Sequence, residues 1–259
     1  LVQYVNFVKL PHTVFALPFA LVGVTLASYQ ARVTPAMTGW VVLAFTAARF
    51  AAMGFNRIAD REFDARNPRT SMRELPSGKM RVGEAWGSVM VAVALFEVAS
   101  SRLNSLCFAL SPLALAWVFF YSYTKRFTRW SHLVLGLGLG IAPVGGFLAV
   151  TGAWSSPWWM LAALAAGVMC WTGGFDILYA LQDIEFDRKV GLFSIPAWLG
   201  TTKGLIVAGI FHALTVCCLA LLIPLLRLGS IYGTGLLCAA ILLLYEHSLV
   251  HRHGLAKLD

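Results

Sequence analysis

The amino-acid sequence predicts an all-α, polytopic membrane protein that forms a single domain over residues 1–259. Of its 259 residues 59% are apolar and only 12% are charged, whereas about a quarter of the residues of a soluble domain are charged. Long runs nearly free of charge recur along the chain, each close to the roughly 20 residues that a helix needs to cross a bilayer. A soluble fold of this size could not shield so much apolar surface from water.

The apolar runs predict eight transmembrane helices. Pro35, Pro157 and Gly229 are typical helix-boundary residues and separate neighbouring runs. The loops at 57–83, 122–131 and 179–202 hold most of the charge. The predicted helices span residues 13–31, 36–56, 84–101, 103–121, 132–152, 157–178, 203–226 and 230–250.

The distribution of Lys and Arg predicts the orientation in the membrane. With the N-terminus in the cytoplasm, sixteen of the 20 basic residues fall in cytoplasmic loops or termini, and three fall on the opposite side. Such an excess is typical of the cytoplasmic side, and we expect a bacterial inner membrane. The net charge of +8 is therefore a consequence of topology, and because no basic stripe with interleaved aromatics appears, we expect no nucleic-acid partner.

A weak internal repeat is present. Each set of four predicted helices carries a pair of aspartates after its second helix, Asp60 and Asp64 in one and Asp183 and Asp187 in the other. The repeat predicts two four-helix halves around a central cavity. Because a basic segment lies just before Asp259, we expect a ninth helix beyond it.

The two aspartate pairs belong to longer polar stripes. Asn56, Asp60 and Asp64 follow one another at intervals of four residues and would share one face of a helix. The second stripe has intervals of three, four and four residues and consists of Asp176, Tyr179, Asp183 and Asp187. Rows of carboxylates at the end of a membrane helix are costly unless a cation holds them. Hard oxygen ligands favour Mg²⁺, which typically binds through carboxylates and substrate phosphates.

Basic residues flank these stripes. Positive-inside topology explains how many there are, but it does not explain why they lie next to the carboxylates. They suit an anionic group, since guanidinium groups bind phosphate oxygens in pairs and lysine acts as a point charge. The candidate diphosphate-binding residues are Arg69, Arg73, Lys125 and Arg126.

Three linked motifs resemble those of the UbiA superfamily of intramembrane aromatic prenyltransferases. Asn56–Asp64 resembles its first aspartate-rich motif, Tyr121–Lys125 matches its YxxxK motif, and Asp183–Asp187 matches its second, DxxxD. Arg57 stands where many members carry an aspartate, so we leave it out of the metal ligands. This pattern resembles the branches that prenylate 4-hydroxybenzoate, or a dihydroxynaphthoate in menaquinone synthesis.

The resemblance implies transfer of a prenyl group from a polyprenyl diphosphate to a small aromatic acceptor, with Mg²⁺ as cofactor. Lys125 and Arg73 would bind diphosphate oxygens, with Tyr121 nearby, and aromatic faces of Phe175 and Tyr179 would shelter the allylic cation. The implied catalytic residues are Tyr121, Lys125 and the four motif aspartates. The implied metal ligands are Asn56, Asp60, Asp64, Asp183 and Asp187.

Four further residues are candidates for acceptor binding. Arg49 lies two helical turns before Asn56, where an unpaired charge is expensive. We expect it to bind an acceptor carboxylate, to extend its charged end toward the membrane surface, or to pair with Glu97. Asp176 either takes the ring proton, orients the acceptor or makes a structural hydrogen bond. Tyr179 and His12 complete this group.

Two other interpretations remain at this point. A cation-coupled transporter would place its carboxylates near the middle of the bilayer on broken helices, whereas these carboxylates lie at predicted cytoplasmic ends. A family member acting on haem or a chlorophyll precursor would carry the same motifs.

The glycines at positions 136–140 and at 145 and 146 indicate either a lipid-facing opening or close helix packing.

Overall fold

The computed structural model describes residues 4, 7, 8 and 10–253, and this part of the chain is all-α. Within it there are ten α-helices and one turn of 3₁₀ helix, and no β-strand. The helices are α1 Leu10–Ala27, α2 Pro35–Ala59, α3 Arg61–Arg66, α4 Val82–Leu103, α5 Ser105–Thr124, α6 Ser131–Thr151, α7 Trp159–Ala180, α8 Ile184–Val190, α9 Ile195–Leu226 and α10 Ser230–His253.

The long helices have the length and composition of membrane spans. In the described residues seven segments qualify: α2, α4, α5, α6, α9, α10 and α7 with its continuation through α8. The apolar segment of α1, Ala16–Ala27, is shorter. The prediction of a polytopic helical membrane protein is confirmed, since helices satisfy their backbone hydrogen bonds internally and can therefore cross hydrocarbon.

Several predicted helix boundaries are correct for identifiable reasons. Pro35 begins α2 behind the N-cap Thr34, whose hydroxyl accepts a hydrogen bond from the Met37 amide at 3.2 Å. Proline suits the first helical turn because its missing N–H is not needed there. Gly229 directly precedes α10 at Ser230.

The segment 179–202, predicted as a loop, is mostly helical. Helix α7 continues to Ala180, the 3₁₀ turn and α8 follow, and α9 begins at Ile195. Gly191 ends α8 with φ +76°, and Gly200 interrupts α9 with φ +79°, both in the left-handed region that glycine adopts freely. Charge made this segment resemble a loop, but the polar residues are carried on short helices.

The chain divides into two compact units. The first contains residues 1–123 and 141–154, and within it α2 packs most extensively against α4. The second contains residues 124–140 and 155–259, and within it α7 packs most extensively against α9. The buried core of the second unit includes Ile177, Leu178, Leu181, Ile195 and Phe211.

The glycines of α6 allow close helix packing within each unit. A Cβ atom on Gly136 would overlap the carbonyl oxygen of Met169 on α7, and one on Gly146 would overlap that of Ala20 on α1. Gly145, in contrast, has open space around its Cα. Close packing is thus the structural role of Gly136 and Gly146.

Candidate active site

The first aspartate motif lies where helix α2 ends. Asp60 is the junction between α2 and α3, with φ −95° and ψ 7°, a sparsely populated region in which many active-site residues occur. The side-chain amide of Asn56 donates to Asp60 Oδ2 at 2.9 Å and approaches Ser122 Oγ at 3.5 Å. The helical stripe expected for Asn56, Asp60 and Asp64 is therefore interrupted at Asp60, although the structure does bring Asn56 and Asp60 together.

Asp64, on α3, is buried and paired with Arg73. Only 7% of Asp64 is exposed, and Arg73 Nη1 donates to both of its carboxylate oxygens, at 2.8 and 2.9 Å. The loop that carries Arg73 folds back on α3, since the Thr70 hydroxyl donates to the Asp64 carbonyl at 3.1 Å. Two residues that the sequence assigned to metal and diphosphate thus form one ion pair.

Arg57 is buried beside this ion pair. It is 4% exposed and interacts electrostatically with Arg73, Asp64 and Glu74. Its surroundings therefore contain a second cation as well as two acids.

Arg49 occupies the interior of α2. Its Nε is buried and has no hydrogen-bond partner among the described residues, and its electrostatic neighbour is Tyr121. Glu97 accepts a hydrogen bond from the Ser111 hydroxyl at 2.6 Å and forms no ion pair with Arg49 in the described structure. Pairing with Glu97, one of the three expectations for Arg49, is therefore not found among the described residues.

The second aspartate motif repeats the local geometry of the first. Asp183 ends the 3₁₀ turn before α8 with φ −105° and ψ 7°, nearly the values of Asp60. Asp187 then lies in α8 as Asp64 lies in α3, and it is 3% exposed. In both motifs an aspartate begins a short helix that buries a second aspartate four residues later; the first motif follows α2 directly, whereas the 3₁₀ turn Leu181–Asp183 separates α7 from α8 in the second.

The start of α9 holds Asp187 in place. The Ser194 hydroxyl donates to Asp187 Oδ2 at 2.9 Å and accepts from the Ala197 amide at 3.2 Å. Ser194 is therefore both the N-cap of α9 and a hydrogen-bond donor to the Asp187 carboxylate. The Phe193 amide donates to the Lys125 carbonyl at 2.7 Å. The charge of Lys125 acts on both Asp176 and Asp187.

His132, which the sequence analysis did not select, contacts Asp176. The two side chains meet at 2.7 Å between Nδ1 and Oδ2, and His132 is completely buried. A histidine at the start of the predicted span 132–152 is the signal that could have identified it. Ser194 could have been identified from Ser194-Ile195-Pro196, a helix-start pattern.

An aromatic row follows α7 on the segment that carries Asp176. The rings of Trp171 and Phe175 stack with centroids 5.9 Å apart, and those of Phe175 and Tyr179 tilt at 5.0 Å. Such faces can shelter a cation. The predicted candidates Phe175 and Tyr179 are therefore in contact.

The remaining predicted residues lie at the surface or have side chains that the structure does not describe. Arg69 and Arg126 are exposed, and the side chain of His12 lies outside the described residues. In the described part of the chain no three His, Cys, Asp or Glu side chains form a closed metal site. Mg²⁺ does not need one, because it usually takes one or two carboxylates together with substrate phosphates and waters.

A model of the UbiA prenyltransferase family matches residues 16–258. The chain belongs to the UbiA prenyltransferase family. It is therefore an integral membrane enzyme of the prenyltransferase class, and the motif resemblance seen in the sequence is confirmed.

Two members of the UbiA family are similar to this chain, one compared by sequence and one by structure. The chain is 31% identical over 220 residues to 4-hydroxybenzoate octaprenyltransferase of Edwardsiella ictaluri strain 93-146, covering 83% of this chain and 75% of the relative. It is similar in structure to an apo UbiA homologue from Aeropyrum pernix K1, with a TM-score of 0.90, 32% identity, and coverage of 96% of this chain and 91% of the other.

A more distant neighbour shares the UbiA fold. A UbiA homologue from Archaeoglobus fulgidus, solved with GPP and Mg²⁺, has a TM-score of 0.74 at 21% identity, covering 96% of this chain and 87% of the other. At this identity the comparison shows a shared fold and nothing further.

Proposed function

We propose that this enzyme transfers a prenyl group from a polyprenyl diphosphate to a small aromatic carboxylate. The favoured acceptor is 4-hydroxybenzoate, the substrate in the name of the Edwardsiella relative, and a dihydroxynaphthoate is the second candidate. The products would serve ubiquinone or menaquinone synthesis.

The observation that carries the proposal is the repeated aspartate junction. Asp64 and Asp187 are 7% and 3% exposed, each four residues after an aspartate of nearly identical backbone conformation. Buried carboxylates are stable as anions only when cations or hydrogen-bond donors compensate them. An ordinary structural ion pair explains one such junction, but not the same arrangement built twice.

The donor atoms of both junctions fit Mg²⁺. They are hard carboxylate and amide oxygens, which suit Mg²⁺ better than zinc or copper. The residues that we propose as ligands are Asn56, Asp60, Asp64, Asp183 and Asp187. Bound Mg²⁺ would neutralise the charge that grows on the departing diphosphate.

The ion pair between Arg73 and Asp64 indicates how the first motif responds to substrate. Arg73 Nη1 occupies both Asp64 oxygens in the structure. When Asp64 turns to a metal, Arg73 becomes available to donate to diphosphate oxygens, which guanidinium groups bind well. Arg73 therefore pairs with Asp64 in the free enzyme and binds the diphosphate in the complex.

Other residues of the chain supply the rest of the reaction. Lys125, with Arg69 and Arg126 as further candidates, stabilises negative charge on the leaving group. The faces of Phe175 and Tyr179 shelter the allylic cation. Arg49 binds the acceptor carboxylate, and Tyr121, its electrostatic neighbour, lies close to it.

The larger organisation belongs to the proposal as well. We propose eight membrane spans in two four-helix halves within one catalytic domain, with the N-terminus and the motif-bearing loops in the cytoplasm. The 16-to-3 distribution of basic residues supports this orientation.

The proposed function is tested by a membrane assay with geranyl diphosphate, Mg²⁺ and either 4-hydroxybenzoate or 1,4-dihydroxy-6-naphthoate. We expect prenylated 4-hydroxybenzoate from the wild type and none after EDTA, with activity restored by added Mg²⁺. Asp60→Ala should lower the rate by at least about 100-fold, since the metal site loses a ligand. Asp259→Ala is the matched control and should retain full activity. If neither acceptor is prenylated in membranes that contain folded enzyme, this acceptor class is wrong.

A further inference from the structure

His132 is held by hydrogen bonds at both ring nitrogens. Its Nδ1 lies 2.7 Å from Asp176 Oδ2, and its Nε2 accepts from the backbone amide of Ile195 at 3.3 Å. The imidazole is completely buried at the start of α6, and its two partners lie on α7 and at the start of α9. Three helices of the second unit therefore meet at this ring.

These contacts determine the tautomer of His132. A backbone N–H is only a donor, so the nitrogen that it contacts must carry a lone pair rather than a proton. The proton of the neutral ring is then on Nδ1, from which it is donated to Asp176. This arrangement favours an ionised, oriented carboxylate, since a hydrogen bond donated to the charged form stabilises it.

Asp176 keeps one oxygen available. His132 contacts Oδ2, whereas Oδ1 receives no hydrogen bond from the described residues, and the side chain is 20% exposed. Lys125 acts electrostatically on Asp176 and on Asp187 alike. Asp176 therefore lies in the electrostatic neighbourhood of the second aspartate motif and is not an isolated buried group.

We propose that His132 is a positioning residue that holds Asp176 as an oriented carboxylate, and that Asp176 Oδ1 accepts the proton released from the acceptor ring. This inference rests on the proposed function. After the prenyl carbon bonds to the ring, the same ring carbon still holds its hydrogen. The C–H electron pair returns to the ring, the proton moves to Asp176, and the neutral acid later releases it to water.

His132 does not take this proton itself. Its Nδ1 already carries a proton, and its Nε2 is covered by the Ile195 amide. The arrangement resembles other sites in which one group fixes the orientation of its neighbour and the neighbour carries out the proton transfer. The contribution of His132 is orientation, which matters because a proton acceptor must lie within hydrogen-bond reach of the bond that breaks.

Three variants separate positioning from simple packing. His132→Asn places an amide donor near the Nδ1 position and keeps the bond to Asp176. His132→Gln reaches toward the Ile195 amide but loses that bond, and His132→Phe keeps neither. His212→Gln is the matched control, because His212 is another buried histidine, 3% exposed, bonded to His247 at 2.9 Å in the second unit.

The assay compares 4-hydroxybenzoate with the same acceptor deuterated at the two ring carbons beside the hydroxyl. For His132→Gln and His132→Phe we expect kcat to fall roughly 10- to 100-fold, with KM for geranyl diphosphate unchanged. This loss is smaller than most of the roughly 100- to 10,000-fold range of general acid–base catalysis, because the proton acceptor itself is retained. Proton loss should then limit the rate, so a primary isotope effect larger than that of the wild type should appear. His132→Asn should recover most of kcat, and His212→Gln should lower thermal stability without changing the isotope effect.

Equal losses in His132→Asn and His132→Gln, or an unchanged isotope effect, would show a packing role and overturn the inference. Those results leave the proposed function intact, since the wild type still makes product. Absence of product from the folded wild type instead refutes both.

Discussion

At the scale of single residues, Arg49 is a charged side chain within a membrane-spanning helix, where an uncompensated charge is costly. Its Nε is buried without a hydrogen-bond partner among the described residues, and Glu97 is engaged by Ser111. A bound acceptor carboxylate would supply the missing partner. We therefore expect Arg49→Gln to raise KM for 4-hydroxybenzoate about 10- to 100-fold, the value of a charge-assisted hydrogen bond, measured by steady-state kinetics.

Two comparisons make the Arg49 result specific. KM for geranyl diphosphate should stay within about twofold of the wild type, because Arg49 is assigned to the acceptor. Arg102→Gln removes an arginine that lies 6.0 Å from the Trp40 ring, and it should leave both constants unchanged. An Arg49→Gln enzyme with an ordinary acceptor KM would show that Arg49 has a different role.

At the scale of helices, the start of α9 links stability to the second aspartate motif. Ser194 caps α9 and also donates to Asp187 at 2.9 Å. Ser194→Ala should cost about 1 kcal/mol of stability, as the loss of an N-cap does. It should also raise the Mg²⁺ concentration for half-maximal activity about 10-fold, because a group that orients a metal ligand is lost. Thermal unfolding in detergent and Mg²⁺ titration of activity measure the two effects.

The cap of α2 provides the matched control. Thr34 accepts from the Met37 amide at 3.2 Å, as Ser194 does from Ala197. Thr34→Ala should lose similar stability and leave the Mg²⁺ requirement unchanged. If both variants shift the requirement equally, the effect comes from loss of stability and the role assigned to Ser194 is wrong.

The helices also show what the sequence could and could not predict. Apolar runs of sufficient length predicted the spans, because the hydrocarbon thickness sets the length of a crossing helix. The spacing of Asn56, Asp60 and Asp64 predicted that they belong together. The interruption at Asp60 was not predictable from periodicity, since a helix that ends and restarts within one turn preserves the pattern. The sequence could mark His132 as a histidine at the start of a span, but its contact with Asp176 depends on the packing of distant segments and could not be read from local sequence.

At the scale of the whole molecule, one set of basic side chains suits both the proposed orientation and the proposed substrate. The loop after α3 carries the cations that follow the first motif, and the segment between α5 and α6 carries Lys125. Positive loops resist translocation, so the residues proposed to bind a diphosphate would also keep their loops in the cytoplasm.

This orientation predicts the accessibility of single cysteines. In a variant whose five native cysteines are replaced by alanine, Met72→Cys and Phe127→Cys test two predicted cytoplasmic loops, and Gln30→Cys tests the opposite side. Met72 and Phe127 are 71% and 58% exposed, and Gln30 is also exposed. In intact bacterial cells permeabilised only at the outer membrane, a membrane-impermeant maleimide should label Gln30→Cys alone, and all three should react after the inner membrane is opened. Labelling of Met72→Cys in intact cells would place the first motif outside the cytoplasm, away from the compartment that supplies prenyl diphosphates, and would contradict the proposed orientation.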